Sequence, residues 1–565
     1  MENINTSKQK NEILITVAIV IATVISMCLR LLFGWDQDES YVVLLATKIA
    51  RGCPLFKELW DLHQTSAIFT ALFAKPYLDL FKDTDGIGIY LRVISLILQL
   101  LVAIFAYVII KKHYSKLSAL IAFVVVANML PRATQQFEYG TITVWATLIC
   151  SFILLDLYHD QDRAILKIVL AGVFYSISVL AYPTMLLSLP ADILFMAFVL
   201  KSDKHDKAKY IAVFLVICAL LAVCFIGFVL KDMSISEFFR SLKAISNSGD
   251  HGSLFSSITN PDFWAKPLLR VIITIGAAIV VSLTVNRIFA VSLNPFFTYI
   301  LLTTVVVMLL NITGIRPSGP YGFLERFIGT VILFWLIRQR ADKAVTVLLV
   351  VVGVLMYTGS LMGSNLGLNE NAMFLEVALV GCVIAGSEYL QNRKKNLEYR
   401  FELIAIMVFA FGVAFASGYF VRVNYTSPAN FLQCNSIFAD GPVKGIRVTQ
   451  NQMDDMARRI EAIKFESEQG KIYAVLSNEP LYNFYINGAT SAPRYVTTAM
   501  YNSQWITYYE EFDHALPDVI FVDTYWNPEI EMFYRFEFGN WVKEKYHLEK
   551  TEYDDVFWKL VKNEE

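Results

Sequence analysis

The stretch WDQDESY, residues 35–41, places Asp36, Asp38 and Glu39 directly after a long apolar segment. That segment, residues 11–33, exceeds the roughly 20 apolar residues that a helix needs to cross a hydrocarbon core. Three carboxylates at the end of a membrane helix indicate a polar site at the membrane–water boundary. The alternative role is structural, because acids favour helix N-termini and a helix is predicted to begin near Ser40.

The composition of the whole chain is typical of a membrane protein. Of its 565 residues, 56% are hydrophobic and 17% are charged, and the mean hydropathy is +0.50. Soluble globular proteins carry about 25% charged residues. The net charge of −2 gives no indication of a surface for nucleic acid or another polyanion. We therefore expect a polytopic α-helical protein of the plasma membrane with no nucleic-acid partner.

About 13 apolar stretches are long enough, or nearly long enough, to cross a membrane as helices. They lie at residues 11–33, 88–110, 117–131, 141–158, 165–182, 184–200, 210–230, 267–285, 294–313, 323–338, 343–360, 371–390 and 401–420. The stretches 117–131 and 323–338 are the shortest of the set.

The polar connections give the expected orientation, since short cytoplasmic loops carry an excess of Lys and Arg. Basic residues occur before the first predicted helix and after every second one. They are Lys8 and Lys10; Lys111, Lys112 and Lys116; Arg163 and Lys167; Lys201, Lys204, Lys207 and Lys209; Arg287; Arg338, Arg340 and Lys343; and Arg393, Lys394 and Lys395. This parity predicts a cytoplasmic N-terminus, with WDQDESY and the C-terminal tail outside the cell.

The chain divides into two predicted domains, a membrane domain at 1–420 and an extracytoplasmic α/β domain at 421–565. Within the first, residues 34–87 form a long outer loop with two amphipathic helices that we expect at the membrane surface. The second is large enough for its own core. Its predicted strands are 471–477 and 518–523, and its predicted helices are 450–469, 481–486, 527–536 and 537–549.

Arginines accumulate toward the outer ends of the helices and in the outer loops, against the usual distribution of positive charge. Arg binds phosphate through a bidentate fork, so we predict a phosphate-binding group. Its members are Arg92, Arg132, Arg316, Arg326 and Arg422. Alternatively, each is an interfacial anchor, or Arg316 and Arg326 pair with Glu325 or Glu376 as internal ties.

Carboxylates beside phosphate-binding arginines, at the membrane surface, suggest a sugar carried on a polyprenyl phosphate. Transfer of that sugar needs a base to deprotonate the acceptor hydroxyl. It also needs positive charge to stabilise the departing phosphate while the sugar carbon becomes oxocarbenium-like. The WDQDESY stretch supplies the first requirement, and the arginines supply the second.

Residues 35–64 read WDQDESYVVLLATKIARGCPLFKELWDLHQ and carry three short motifs in a fixed order. The motifs are Asp38-Glu39-x-Tyr41, Gly52-x-Pro54-Leu55 and Trp60-Asp61-x-His63-Gln64. The stretch resembles the start of polyprenyl-phosphate-sugar glycosyltransferases of the GT-C fold, a group that includes protein O-mannosyltransferases and an aminoarabinose transferase. The Glu138-Tyr139 pair falls where that family has an acid in its second outer loop. The resemblance covers roughly the first 190 residues.

This resemblance implies a GT-C-like fold with Asp38 as the general base and Glu39 as the second catalytic carboxylate. It also implies residues that shape donor or acceptor binding, namely Asp36, Tyr41, Asp61, His63, Gln64, Glu138 and Tyr139. The chain departs from the family at His63-Gln64, where many members have a Pro pair. It also lacks a recognisable β-trefoil insert, which makes a protein acceptor less expected.

Two features are left open by the sequence. Asp36, Asp38 and Glu39 offer hard oxygen ligands, so a divalent cation such as Mg²⁺ or Mn²⁺ is an option. Cys53 and Cys434 are the two cysteines expected outside, and their pairing is undecided.

We predict an inverting glycosyltransferase that moves a sugar from a polyprenyl-phosphate donor to a cell-surface or lipid-linked glycan at the outer membrane face. The first alternative is a polysaccharide or lipid flippase, which would be expected to carry charges through the membrane midplane and inverted repeats. The second is a non-catalytic glycan-assembly protein, in which the acids only cap a helix. Within the enzyme class, a protein O-glycosyltransferase is the third.

Overall fold

The computed structural model describes residues 2–129, 135–246, 261–313, 327–362, 370–391, 396–422, 428–496 and 502–564, together with residues 368 and 393. Seven helices make up the first third: α1 Glu2–Leu32, α2 Gln37–Ala50, α3 Gln64–Phe81, α4 Ile87–His113, α5 Lys116–Asn128, α6 Tyr139–His159 and α7 Ala164–Ala181. The later apolar helices are Leu189–Leu194, Lys204–Val229, Ile235–Ser246, Pro261–Phe289, Pro295–Ile312, Ile328–Leu333, Lys343–Val345, Val352–Met362, Glu376–Gln391 and Leu397–Tyr419.

Eight helices in the described part of the chain are long and apolar enough to span a membrane. Four shorter apolar helical segments accompany them, at Thr16–Leu32, Lys116–Asn128, Pro183–Val199 and Pro295–Leu310. The polytopic helical architecture is therefore confirmed. The predicted stretch 323–338 lies partly outside the described residues, and the count of 13 is not fixed by these segments.

Several of these segments are not uniform α-helices. Residues 183–199 run through a 3-10 turn, a short α-helix and a π turn, and Thr346–Val351 is a π turn inside the helical segment 343–362. Pro183 and Pro190 explain the first irregularity, because proline removes a backbone donor and crowds the preceding turn.

The two helices predicted in the first loop are present as α2 and α3, and they pack against each other. Asp36 caps α2, since its carboxylate accepts the Asp38 amide at 3.0 Å. The chain reverses at Lys82, whose φ of 61° ends α3 in a left-handed residue. The loop then returns at once into α4.

A mixed five-stranded sheet forms the centre of the C-terminal domain, with strand order β6-β5-β7-β9-β8. The first three of these run parallel, whereas β9 is antiparallel to β7 and β8 is antiparallel to β9. The strands of the tail are β1 Phe420–Arg422, β2 Pro428–Asn430, β3 Ser436–Ile437, β4 Arg447–Val448, β5 Ile472–Leu476, β6 Ala489–Thr490, β7 Val519–Asp523, β8 Tyr546–Glu549 and β9 Phe557–Lys562. Its helices are Gln450–Glu466, Ser503–Glu511, Ile530–Phe533 and Glu537–Lys545.

The strands predicted at 471–477 and 518–523 are present as β5 and β7, and the helix predicted at 450–469 is present as Gln450–Glu466. The helix predicted over 537–549 is wrong in its last turn, because residues 546–549 leave the helix and pair with β9. The helix predicted over 527–536 shrinks to Ile530–Phe533. Cross-strand pairing, which depends on a distant partner, overrides local helix preference at residues 546–549.

The first loop and the C-terminal domain share apolar cores. Trp35 and Leu91 pack in one cluster with Val448 and Tyr482 of the tail, and Trp60 packs in a second cluster with residues of the helix Ser503–Glu511. Backbone bonds cross the same interface. They are Gly34 N to Arg447 O at 2.8 Å, Gly88 N to Pro442 O at 2.8 Å, Gly86 N to Gly441 O at 2.9 Å and Trp60 N to Pro493 O at 2.9 Å. The loop is therefore fixed between the membrane helices and the sheet domain.

The turn between β3 and β4 makes two of these contacts, through Gly441 and Pro442. Gly441 has a φ of +73°, and a Cβ placed on it would collide with the Tyr485 ring. The backbone amide of Gly441 donates to Asp85 Oδ1 at 3.0 Å, so a change of backbone conformation at this residue would also weaken that hydrogen bond. A glycine is required here by both conformation and space.

We expect Gly441→Ala to lower the thermal midpoint of the purified protein more than Gly470→Ala does. Both positions have positive φ, and a non-glycine residue there costs about 1–2 kcal/mol. Gly470 has nothing within 4 Å of an added Cβ, whereas Gly441 adds an overlap with Tyr485. Equal midpoints for the two variants in a thermal-shift assay would contradict the packing described for this turn.

Candidate active site

The carboxylates of WDQDESY point in different directions and have different surroundings. Asp36 is buried and caps α2, as the structural alternative predicted for it. Asp38 lies in the first turn of α2 and is half-buried, so part of its side chain remains accessible. Glu39 is buried on the side that faces α4.

Glu39 forms an ion pair with Arg92 of α4, and both side chains are almost completely enclosed. The second carboxylate oxygen of Glu39 accepts the Gln135 amide at 2.9 Å. Arg92 also donates to the carbonyls of Arg30, Leu31 and Gly34 at 3.2, 3.0 and 2.6 Å, and its guanidinium lies 5.3 Å from the Trp35 ring centre. Through these contacts, the Glu39–Arg92 pair holds the turn from α1 into α2.

Two further predicted binding residues, Tyr41 and Asp61, are bonded to each other. The Tyr41 hydroxyl donates to the Asp61 carboxylate, which also accepts the His63 amide at 3.3 Å. Gln64 donates to Asp61 O at 2.9 Å and accepts the Phe56 amide at 2.8 Å. The structure therefore brings Tyr41, Asp61, His63 and Gln64 together, and Gln64 is used to shape the loop.

Glu138 and Tyr139 lie at the start of α6, beside this group. The Glu138 carboxylate caps α6 by accepting the amides of Gly140 and Thr141 at 2.8 and 2.7 Å. The Tyr139 ring stacks on the His63 ring with centroids 3.7 Å apart and 4° between the planes. Tyr182 stacks on Tyr139 at 5.7 Å and extends the aromatic group.

An apolar groove of about 450 Å³ begins at this position and runs between α4, α6 and α7. Phe69 of α3 and Phe137 line its end nearest the loop, and the remaining lining residues are aliphatic or aromatic side chains of the three membrane helices. Thr70 donates to Phe137 O at 2.5 Å, which ties α3 to the residue before Glu138. The polar group of side chains thus adjoins an apolar groove.

The predicted phosphate-binding arginines are only partly located. Arg132, Arg316 and Arg326 lie outside the described residues. Arg422 belongs to β1, the strand that follows the last membrane helix, and its side chain is not described. Arg92 is the one whose side chain is placed, and it is bound to Glu39 as described above.

The described residues contain no group of three or more His, Cys, Asp or Glu side chains that could hold a metal ion. Asp36, Asp38 and Glu39 do not converge, because Glu39 turns toward Arg92 while Asp36 caps its own helix. Cys53 and Cys434 are both free thiols, and burial raises the pKa of each.

Glu479 was not among the site residues expected from the sequence, and the C-terminal domain places it beside the first turn of α2. Its carboxyl hydrogen-bonds to Ser40 and accepts the Leu481 amide at 3.1 Å. Although the residue keeps some accessible surface, burial of the carboxyl raises its pKa to about 8, and the charges of Asp36 and Asp38 act in the same direction. An acid directly after the predicted strand KIYAVLS was the available signal, since carboxyl ends of parallel strands commonly form sites.

No protein-family model matches the chain. No curated protein matches it significantly.

Among solved structures, ArnT from Cupriavidus metallidurans bound to undecaprenyl phosphate is similar with a TM-score of 0.51 and 9% sequence identity, and the match covers 97% of each chain. The apo state of ArnT from the same organism is similar with a TM-score of 0.47 and 11% identity over 98% of each chain. ArnT is an aminoarabinose transferase of the GT-C fold. The chain described here is thus a multi-pass membrane protein with the GT-C fold and a small C-terminal sheet domain.

Proposed function

We propose that this protein is an inverting glycosyltransferase of the outer membrane face, which moves a sugar from a polyprenyl-phosphate carrier to a hydroxyl of a cell-surface or lipid-linked glycan. The observation that carries the proposal is the position of Asp38. Asp38 keeps accessible surface, whereas Asp36, Glu39, Asp61 and Glu138 are buried, and Glu479 has an enclosed carboxyl although part of the residue is accessible.

Accessibility selects Asp38 as the candidate base, because the buried acids are enclosed by the contacts that they make. Asp36 and Glu138 cap helices, Glu39 pairs with Arg92, and Asp61 accepts from Tyr41. A general base must reach the proton it removes, so accessibility is the first geometric requirement. Asp38 meets it, and the cap made by Asp36 fixes the turn on which Asp38 lies.

The apolar groove supports a lipid-linked donor. Apart from Phe69 and Phe137, its lining residues belong to α4, α6 and α7, which are long and apolar enough to span a membrane, so a hydrocarbon chain among them would lie at membrane depth. Its end at Phe137 adjoins Gln135, whose amide binds the same Glu39 that follows Asp38. A polyprenyl tail in the groove would bring its phosphate and sugar to this end. The similar structure of ArnT holds undecaprenyl phosphate, which agrees with this donor class.

The proposed reaction is a direct displacement at the sugar carbon. The Asp38 carboxylate removes the proton of the acceptor hydroxyl, whose oxygen attacks the anomeric carbon of the sugar. The bond between that carbon and the phosphate oxygen breaks, and polyprenyl phosphate leaves with the electron pair. A single displacement inverts the anomeric centre. The predicted arginines Arg132, Arg316, Arg326 and Arg422 would stabilise the charge on the departing phosphate.

Glu39 and Arg92 take a different part in this proposal from the one expected from sequence. We assign them a positioning role, because their contacts fix the turn between α1 and α2 and with it the location of Asp38. His63, Tyr139 and Tyr182 present stacked rings beside that turn, and they are the proposed contacts for the donor or acceptor sugar.

We expect Asp38→Asn to lower transfer by about 10²- to 10⁴-fold while leaving expression and thermal midpoint unchanged, because asparagine keeps the shape and loses the base. The measurement is linkage analysis and mass spectrometry of surface glycans in the intact strain, the deletion, and the deletion complemented with each variant. Asp79→Asn, an exposed acid on α3, is the matched control and should restore the glycan fully.

If well-expressed Asp38→Asn restores every glycan, Asp38 is not the base and the flippase and assembly alternatives gain support. Loss of a glycosylated protein rather than a glycan would indicate a protein O-glycosyltransferase.

Glu39→Gln should instead fail at the level of folding. Removing one partner of a buried ion pair costs about 3–5 kcal/mol, since the remaining charge is uncompensated. We expect a clear fall in the thermal midpoint for Glu39→Gln and for Arg92→Met, with the double variant losing less than the sum. The exposed pair Lys75 and Asp79 is the control, where the same cycle should change stability by less than about 1 kcal/mol. Additive losses for Glu39 and Arg92 would contradict the positioning role.

Ala146→Phe should weaken donor use by narrowing the groove that Ala146 lines. A phenylalanine ring in the groove would cost about 1–3 kcal/mol of the binding free energy of the donor lipid. This loss corresponds to a rise of about tenfold in the KM for the donor, with kcat nearly unchanged. Ala212→Phe, on the exposed face of the helix Lys204–Val229, is the matched control. An unchanged donor KM in Ala146→Phe would place the lipid elsewhere.

A further inference from the structure

The carboxyl ends of the parallel strands β5 and β7 meet at a connected group of polar side chains. The Ser477 hydroxyl donates to Asp523 at 2.6 Å, and Asp523 accepts Arg459 of the helix Gln450–Glu466 at 3.3 Å. The amide of Glu479 in turn donates to the Ser477 hydroxyl at 3.1 Å. The backbone at Glu479 is therefore fixed to both central strands of the sheet.

The side chain of Glu479 leaves this network and reaches α2. Its carboxyl binds the Ser40 hydroxyl, which is fully buried and accepts the Trp35 indole N–H at 2.7 Å. The 3-10 turn Pro480–Phe484 that Glu479 caps packs directly on α2. Gln452 of the same domain donates to Trp35 O at 2.9 Å. Both ends of the WDQDESY stretch are thus contacted by the sheet domain.

Resting on the function proposed above, we propose that Glu479 is a positioning residue of the transfer site, through which the C-terminal domain holds the first turn of α2 and hence Asp38. The domain would then be an obligatory part of the active site. It acts through Ser40, which lies two residues after Asp38 in the same turn.

Burial is the main reason why the pKa of Glu479 is raised and its neutral form favoured. The charges of Asp36 and Asp38 act in the same direction, whereas the hydrogen bonds from Ser40 and the Leu481 amide favour the ionised form. Asp36 and Asp38 face it from the loop and α2, and Tyr482 and Tyr485 face it from its own 3-10 turn. Burial raises the pKa of both tyrosines, so they stay neutral in this range. A protonated carboxyl supplies a donor and an acceptor, whereas an ionised one would repel Asp36 and Asp38.

The direction of the pH effect follows from the raised pKa of Glu479. An unfolded glutamate titrates near pH 4.3, whereas this one titrates at about 8. The stability that the proton contributes is fully present below about pH 4.3 and is lost as pH rises through about 8. Within the folded protein, ionisation of Glu479 above about pH 8 sets repulsion from Asp36 and Asp38 against the hydrogen bond from Ser40, and we expect the repulsion to loosen the contact with α2.

The test compares Glu479→Gln and Glu479→Ala with the wild-type full chain in lipid nanodiscs. Glutamine mimics the neutral carboxyl, and alanine removes it. Glu468→Gln, an exposed acid on the same domain, is the control and should behave as wild type. One readout is hydrogen exchange of the first-turn amides of α2 between pH 6 and 9, corrected for the intrinsic rate. The other is kcat and KM for transfer over the same range.

We expect Glu479→Ala to speed exchange in α2 and to lower kcat, each by about tenfold, with the donor KM nearly unchanged. Glu479→Gln should keep the wild-type exchange rate and kcat at neutral pH. Above about pH 8 it should not show the change in exchange and kcat that the wild-type protein shows, because glutamine does not ionise. Wild-type exchange and kcat in Glu479→Ala would overturn the proposal. So would a Glu479→Gln variant as impaired as Glu479→Ala, since the ionised carboxylate would then be the working form.

The two readouts separate this proposal from the proposed function. If the wild-type protein transfers no sugar while its α2 exchange responds to Glu479 as described, the transferase assignment fails and the contact with α2 stands. If transfer proceeds and neither exchange nor kcat responds to Glu479, the positioning role fails alone.

Discussion

The buried ion pair between Glu39 and Arg92 is the interaction on which the rest of the site depends. Two charges removed from water need each other and further hydrogen bonds, and Arg92 obtains the latter from four backbone carbonyls between Arg30 and Gly34, at and just after the end of α1. Since α1 cannot extend past those carbonyls, the chain turns there. The turn starts α2 at Gln37, with Asp36 as its cap. The position of Asp38 follows from that geometry.

The second constraint comes from the other end of the chain. The sheet domain shares cores with α2, α3 and the loop between them, and its β3–β4 turn binds the start of α4 through backbone hydrogen bonds. The WDQDESY turn is therefore enclosed on one side by membrane helices and on the other by the carboxyl ends of β5 and β7. Such an enclosure limits the freedom of Asp38, the proposed base, without covering it, since Asp38 keeps accessible surface.

Much of the fold could be predicted from local patterns. The apolar stretches gave the membrane helices, and the amphipathic spacing of residues 40–52 and 65–81 gave α2 and α3. β5 and β7 were predictable because both are buried apolar runs in a polar tail. β8 could not be predicted, because residues 546–549 form a strand only through their pairing with β9. Within the site, the family resemblance implied that Tyr41, Asp61 and His63 shape donor or acceptor binding; the structure adds that the three residues contact one another.

The sequence by itself determined the membrane class, the acidic stretch and the choice of Asp38 as the candidate base, because hydropathy and short motifs are local properties. Only the tertiary structure decided what each carboxylate contacts. Asp36, Glu39 and Glu138 look alike in the sequence, yet one caps α2, one neutralises Arg92 and one caps α6. It also placed Glu479 next to Ser40, although 438 positions separate them in the intervening chain. The physical reason is that burial and charge pairing depend on neighbours in space, and those neighbours come from distant parts of the chain.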